Sequence, residues 1–256
     1  MTSGPTAIIT GGATSIGAEI VRAFADEGYR IVIADIAKAE GEALAASIGQ
    51  QVRFVFTDLG ADGDITRCVT QTTTTFGKIH AIVHAAASYI DGGFAASRAD
   101  WHRSLDVNLI GAALLVREAR DHIVTPGGSI VFIGSISGKT GNPGRWLYPA
   151  GKAALLQLTR SMALDFGPSA IRVNSLSPGK IWSAPIQRKH ENDRSRADAV
   201  EGVFHALGRL GNASEVARAA LFLCSEAASF ITGADLAVDG GYSAMGPERL
   251  QTQRPQ

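Results

Sequence analysis

Residues 6–17 read Thr6-Ala7-Ile8-Ile9-Thr10-Gly11-Gly12-Ala13-Thr14-Ser15-Ile16-Gly17. A short apolar run gives way to a glycine-rich turn, and a helical pattern starts at once behind it. This is the order of a buried strand feeding a helix N-terminus, where unpaired N–H groups and the positive end of the helix dipole attract a phosphate. Gly11 and Gly17 are the residues that would let the backbone approach such a ligand closely. The spacing is not G-x-G-x-x-G, and glycines also mark ordinary tight turns. The stretch therefore predicts a βα unit and leaves its ligand to be decided by the rest of the chain.

The same alternation recurs outward from it. Short apolar runs at 7–10, 31–34, 52–56, 79–83, 129–133, 172–176 and 236–238 predict seven strands. Helical periodicity at 16–27, 39–47, 64–76, 98–121, 149–166 and 214–225 predicts the crossovers between them. Strands alternating with helices give an α/β, doubly wound, Rossmann-type three-layer sandwich with a parallel sheet and helices on both faces. No linker divides the 256 residues, which predicts a single domain over 1–256. The polar stretch 180–210 breaks the rhythm and is expected to be a mobile substrate lid; residues 243–256 form a tail.

Composition narrows the function classes. Lys plus Arg and Asp plus Glu are 24 each, so the charge footprint selected by nucleic acid or an anionic membrane is absent. The N-terminus lacks the basic and apolar regions of a signal peptide, and no apolar run approaches the roughly 20 residues of a membrane span. A soluble, cytoplasmic protein with a small-molecule substrate is expected. Cys68 and Cys224 have no metal or redox spacing and read as reduced packing residues.

The second predicted strand ends at Asp35, near the interval at which a carboxylate meets the adenosine ribose hydroxyls. That carboxylate would repel a 2′-phosphate, and neither Thr14 nor Ile36 supplies the cation that would hold one, although Lys38 is close by; NAD is the expected cofactor. Tyr148 and Lys152 stand four apart at the start of a helix, on one face. A phenol near pKa 10 needs a neighbouring ammonium to exchange protons at neutral pH, and Lys152 is placed to be that neighbour. Ser135 and Asp58 follow predicted strands at their carboxyl ends, where an open α/β sheet gathers its ligand site; Asn108 lies within the 98–121 helix.

These residues together resemble the short-chain dehydrogenase/reductase family. The likeness is carried by the 10–17 turn, Asn108, Ser135, Tyr148 with Lys152, and Pro178-Gly179. It extends to Gly208-Arg209-Leu210-Gly211, Ile231-Thr232-Gly233 and Val238-Asp239-Gly240-Gly241, and covers about 6–242. The resemblance implies hydride transfer between a nicotinamide and a carbon bearing an alcohol or ketone, without a metal. By it, Tyr148 is the general acid/base, Ser135 positions the carbonyl, Lys152 lowers the tyrosine pKa and holds the nicotinamide ribose, and Asn108 supports a proton relay. It also places Gly11, Ser15, Ile16, Gly17, Asp58, Leu59, Ala85, Ala86, Pro178, Gly179, Ile181 and Ser183 against the cofactor, and implies a homotetramer built on the 98–121 and 149–166 helices.

Three positions depart from the family. Ser15 replaces the middle glycine of the turn, at a cost of about 1 kcal/mol if its φ is positive; its hydroxyl could instead cap the helix or meet a phosphate. His84-Ala85-Ala86-Ala87 stands where the family has Asn-Asn-Ala-Gly, and His84 reads as structural rather than catalytic. Gly151 stands where a Ser precedes the lysine. Substrate choice is expected from Ser88, Tyr89 and the 137–147 loop, with Ser137, Trp146 and Trp182 facing the substrate. Two rivals share the fold: a 3-oxoacyl-carrier reductase, whose usual NADPH Asp35 argues against, and an NAD-binding sensor without turnover.

Overall fold

The computed structural model describes residues 4–246. One seven-stranded parallel sheet runs through them, in the order β3-β2-β1-β4-β5-β6-β7. Its strands are β1 (Thr6–Thr10), β2 (Arg30–Asp35), β3 (Val52–Phe56), β4 (Ala81–His84), β5 (Ser129–Ile133), β6 (Arg172–Pro178) and β7 (Asp235–Val238). The helices are α1 (Ser15–Asp26), α2 (Lys38–Ile48), α3 (Asp62–Phe76), α4 (Arg98–Leu105), α5 (Gly111–Ala119), α6 (Leu147–Phe166), α7 (Ala184–Lys189), α8 (Arg194–Glu201) and α9 (Ala213–Cys224).

Successive side chains of a strand point to opposite faces, and β1 shows the result. Ala7 and Ile9 join a core with α1, α2 and α9, whereas Ile8 joins a second core with α3, α5 and α6. A strand covered on both faces must be apolar throughout, which is why the run at 7–9 has no polar alternation. Cys68 and Cys224 are buried free thiols, their pKa values pushed up by burial to about 11 and about 12.

The β1–α1 turn is built by close backbone approach. Gly11 has φ +64°, and a Cβ there would lie 2.5 Å from the Ala86 nitrogen; one on Gly17 would lie 1.9 Å from the Gly11 carbonyl oxygen. Ser15 adopts φ 50°, so the strained backbone foreseen for this substitution is present. Its hydroxyl does not cap the helix: Thr14 occupies the N-cap, and Ser15 Oγ accepts a long bond, 3.5 Å, from Ala184 N.

Two expectations need correction. The single helix over 98–121 is interrupted by a π-helical turn at Asp106–Ile110 between α4 and α5, a local widening that no hydrophobic period reveals. The stretch 180–210, expected to be a mobile substrate lid, contains α7 and α8. Glu201, 2% exposed, accepts hydrogen bonds from Lys180 and Lys189, and His190 Nε2 lies 3.3 Å from it. Burial alone would raise the Glu201 pKa; these donors hold it at about 2. The strand expected at 79–83 begins at Ala81, Ile79 making only an isolated bridge to Ile123. The tail beyond Gly246 lies outside the described residues.

Because glycine carries no Cβ penalty at positive φ, Ser15→Gly is expected to raise the unfolding free energy by about 1 kcal/mol in urea titration. An unchanged or lower midpoint would mean that the Ser15 hydroxyl recovers the strain.

Candidate active site

Between β1 and β4 the strand order reverses, and the polar groups collect at the carboxyl ends that flank this crevice. On the β2 side, Asp35 Oδ2 accepts from Ala13 N at 2.9 Å and Oδ1 from Ala37 N at 3.0 Å. The carboxylate thus ties the glycine-rich turn to the approach to α2, with further lone pairs on each oxygen. Ile16 packs on the first core, and Ala85 N is bonded to Thr10 O. Ala86 N lies 3.4 Å from Thr10 Oγ1. Asp58 Oδ1 accepts from Gly60 N, while the Leu59 side chain is buried in the second core under α5.

On the β5 side, the Ser135 hydroxyl stands near enough to Tyr148 to lower its pKa, and Ser135 Oγ accepts from Ser137 N at 3.0 Å. Lys152, one turn after Tyr148 on α6, is only 1% exposed and donates to Ile133 O at 2.7 Å. Asn108 comes from the π-helical turn, fully buried. Its Oδ1 accepts from Ser88 N at 3.0 Å and its Nδ2 donates to Ser88 O at 2.9 Å, so it fixes the loop after β4. Gly151 has a reason here: a Cβ on it would sit 3.3 Å from Asn108 Cβ.

The electrostatics differ from the expectation in one respect. Burial pushes the Tyr148 phenol up, the stacked Tyr89 adds to this, and the opposing influences are the Ser135 hydroxyl and the charge of Arg145. Arg145 rather than Lys152 is the cation that counts most against this rise, and the Lys152 amine is itself brought down to about 8 by burial. His84 is also fully buried and held neutral, its pKa reduced to about 3 by burial and by the neighbouring Lys152. Its Nδ1 is 2.9 Å from Thr10 Oγ1, and its Nε2 has no hydrogen-bond partner. The histidine expected to be structural and hydrogen-bonded makes one such contact, through Nδ1.

The positions expected to face substrate separate. Ser137 accepts from Asn142 Nδ2 at 3.1 Å beside Ser135. Trp146, 49% exposed, meets Phe94 edge-on at the rim. Trp182 packs within the 180–210 stretch instead, with the Arg194 guanidinium 5.4 Å over its ring and its backbone N–H donating to Gly211 O. Pro178, Gly179, Ile181 and Ser183 line the end of β6 and the entry to α7. Behind that turn lies a cavity of about 250 Å³ lined by Gly179, Lys180, Ile181, His205, Arg209 and Asp239 among others. His205 Nε2 accepts from Lys180 N at 3.1 Å and so braces the turn.

Sequence reasoning did not find Asp91. Its carboxylate, 3% exposed, accepts from Gly93 N, Trp146 N, Leu147 N and Tyr148 N. The helix that carries Tyr148 has no side-chain cap of its own at Trp146; Asp91 supplies the anion that the N-terminus favours, from 55–57 residues away. A long-range cap leaves no local sequence signal.

Comparison with known proteins decides the family. The family pattern described as "Enoyl-(Acyl carrier protein) reductase" matches residues 11–243. The chain belongs to the short-chain dehydrogenase/reductase family. It is 36% identical to mouse L-fucose dehydrogenase over 244 residues, covering 93% of this chain and 88% of that protein. It is 35% identical to a 2,5-dichloro-2,5-cyclohexadiene-1,4-diol dehydrogenase of Sphingobium indicum, over 95% of this chain and 98% of that one. It is 38% identical to a 3-alpha-(or 20-beta)-hydroxysteroid dehydrogenase of Mycobacterium tuberculosis, over 93% and 89%. Among solved structures, a Brucella melitensis short-chain dehydrogenase/reductase titled glucose/ribitol dehydrogenase superposes with TM-score 0.83 at 32% identity, covering 93% of this chain and 96% of that one. The chain is therefore a dehydrogenase/reductase of CH–OH groups, a class that uses nicotinamide cofactors.

Burying the Lys152 amine has a measurable cost. An unfolded lysine keeps its proton up to about pH 10.5, whereas the folded one releases it at about 8. Between these values the unfolded chain binds more protons, so stability rises with pH, and the full penalty applies below about pH 8. Lys152→Met is expected to stabilise the protein by about 1–3 kcal/mol near neutral pH. The difference should shrink as pH rises toward 10.5. Equal urea midpoints for the two proteins at neutral pH would contradict a buried charge.

Proposed function

We propose that this short-chain dehydrogenase/reductase is a cytoplasmic, NAD(H)-dependent enzyme that interconverts a secondary alcohol and a ketone on a small polar or cyclic substrate. The observation that carries the cofactor choice is Asp35. Its carboxylate ends β2 in the crevice, is oriented by Ala13 N and Ala37 N, and has no cation at Thr14 or Ile36. A 2′-phosphate there would face an uncompensated negative charge.

The residues present fit a dinucleotide. The first-turn N–H groups of α1 lack carbonyls one turn back, and the glycines at 11 and 17 leave the turn no side chain where its backbones meet. Gly11, Ser15, Ile16 and Gly17 would hold the phosphates, Asp35 the adenosine ribose, and Asp58, Leu59, Ala85 and Ala86 the adenine end. Pro178, Gly179, Ile181 and Ser183 would hold the carboxamide. The nicotinamide, when bound, supplies the hydride acceptor or donor. In the oxidative direction the Tyr148 phenolate takes the hydroxyl proton while Ser135 orients the oxygen. Lys152, already donating one N–H to Ile133 O, keeps two for the ribose, and its charge would favour the phenolate once the site is filled. Asn108 holds the Ser88 loop against this group and supports proton exchange.

The preference for a cyclic substrate draws on the relatives, whose names give a sugar, a ring diol and a steroid as their alcohols. Ser137, Trp146 and Trp182 would select it. A homotetramer is part of the proposal: Leu164 on α6 is 79% exposed and Ile110, before α5, 42% exposed, on the two elements expected to meet symmetry mates. A stable monomer by light scattering would refute that assembly.

The test is reduced-nicotinamide absorbance with NAD or NADP and a panel of cyclic alcohols, sugars, hydroxy acids and diols. Turnover with NAD that falls about 10²–10⁴-fold in Tyr148→Phe, with NADH binding retained, is expected. Asp35→Ser should lower the NAD-to-NADP preference at least tenfold. Turnover with NADP alone would sink the Asp35 reading and favour the 3-oxoacyl-carrier reductase; tight NADH binding with silence across the panel would favour a sensor.

A further inference from the structure

Two arms of the fold outside the family's catalytic set converge on the face of the Tyr148 ring. Residues 142–145 form a tight turn closed by Arg145 N donating to Asn142 O at 3.1 Å, with Pro143 second and Gly144 third at φ 75°, the chemistry of a type II turn. The turn directs the Arg145 guanidinium over the phenol, its Cζ 5.2 Å from the ring centroid. Lys152 Nζ is farther, at 5.7 Å, and is engaged with Ile133 O. The loop after β4 provides the second arm. Gly93 packs so closely on the turn that a Cβ there would lie 2.5 Å from Gly144 O. Asp91, on the same loop, binds Tyr148 N at 3.2 Å and lies 3.7 Å from Arg145 Nε. One buried carboxylate thus fixes the backbone of the tyrosine and leans on the cation above it.

Resting on the reading of Tyr148 as the acid/base, we propose that Arg145 is a positioning residue for that chemistry: held by Asp91 over the phenol ring, it favours the phenolate that accepts the substrate proton. A cation over an aromatic face is attracted by the ring's electron density, and a phenolate ring is richer in electrons than a phenol, so the attraction grows on deprotonation. The other groups facing Tyr148 divide. Tyr89, stacked at 5.2 Å from the loop after β4, and burial both disfavour the anion, as does the Asp91 charge. The Ser135 hydroxyl from the end of β5 and Lys152 from α6 favour it, while neutral His84 from β4 adds no charge. Arg145 is 43% exposed, so water moderates its influence. An effect of half to about one pH unit, roughly three- to tenfold in phenolate fraction, is the expected size.

The experiment labels the full chain with fluorotyrosine, assigns the Tyr148 fluorine resonance by its loss in Tyr148→Phe, and titrates it with NAD bound in wild type, Arg145→Met and Arg145→Lys. Arg145→Met should move the Tyr148 midpoint upward by that amount, and Arg145→Lys should restore part of it. With cyclohexanol as an uncharged probe substrate, the acid limb of kcat should move in step while KM changes less than twofold. Coincident Tyr148 titrations in the three proteins, including resonances that stay protonated alike to the alkaline edge of folding, would overturn the proposal. So would a KM effect with an unmoved pH profile, which would make Arg145 a substrate contact. A wild type that oxidises no alcohol refutes the proposed activity alone, since the fluorine titration still decides the part played by Arg145.

Discussion

A parallel strand must be followed by a crossover, and the crossover is right-handed. With β1 in the centre of the sheet, the chain can wind outward to β3 on one side and to β7 on the other only by reversing direction between β1 and β4. At that reversal the loops leave toward opposite faces and a crevice opens at the carboxyl ends. Every candidate group is a consequence of this winding: the glycine turn and Asp35 on one bank, the His84–Asp91 loop, Ser135 and α6 on the other.

The second bank concentrates polarity inside a dry interior. Lys152, His84 and Asn108 are each at most 1% exposed, where unpaired charge is costly. The fold meets this by sharing. The ammonium has a carbonyl, Asn108 satisfies a loop backbone, and His84 gives up its proton rather than stand charged beside Lys152. The unpartnered His84 Nε2 is the residue of that compromise, a polar atom left over where a histidine fills the place of the family's asparagine.

Much of this was legible in the residues. Apolar runs without alternation announced buried parallel strands, and Asp35, Ser135, Tyr148 and Lys152 sat where strand ends and helix starts could be read from local pattern. What escaped has a common physical cause, since it depends on contacts between distant segments. Asp91 looks like any loop acid until the fold brings it beneath the start of α6, and Glu201 looks like a solvated charge until three donors of the 180–210 stretch surround it. Arg145 is a basic residue in a loop by sequence, and although the Pro143-Gly144 turn before it is a local pattern, the phenol ring it is aimed at is placed only by the fold. Ser15 is the reverse case: its strain was legible from a single missing glycine, and its long bond to Ala184 was not.

The π-helical turn at Asp106–Ile110 carries one further consequence. A π turn is an α-helix with an additional residue accommodated in one turn. Ser104 on α4, Asn108 in the turn, and Ala112, Leu115, Val116 and Ala119 on α5 are all buried, so the widening lies within one continuous inward face. Deleting one residue within 106–110 would close the widening and displace the position from which Asn108 reaches both backbone groups of Ser88. Chain length at this point is therefore as constrained as residue identity, and a one-residue gap here would be far less tolerable than a longer one in the surface loops.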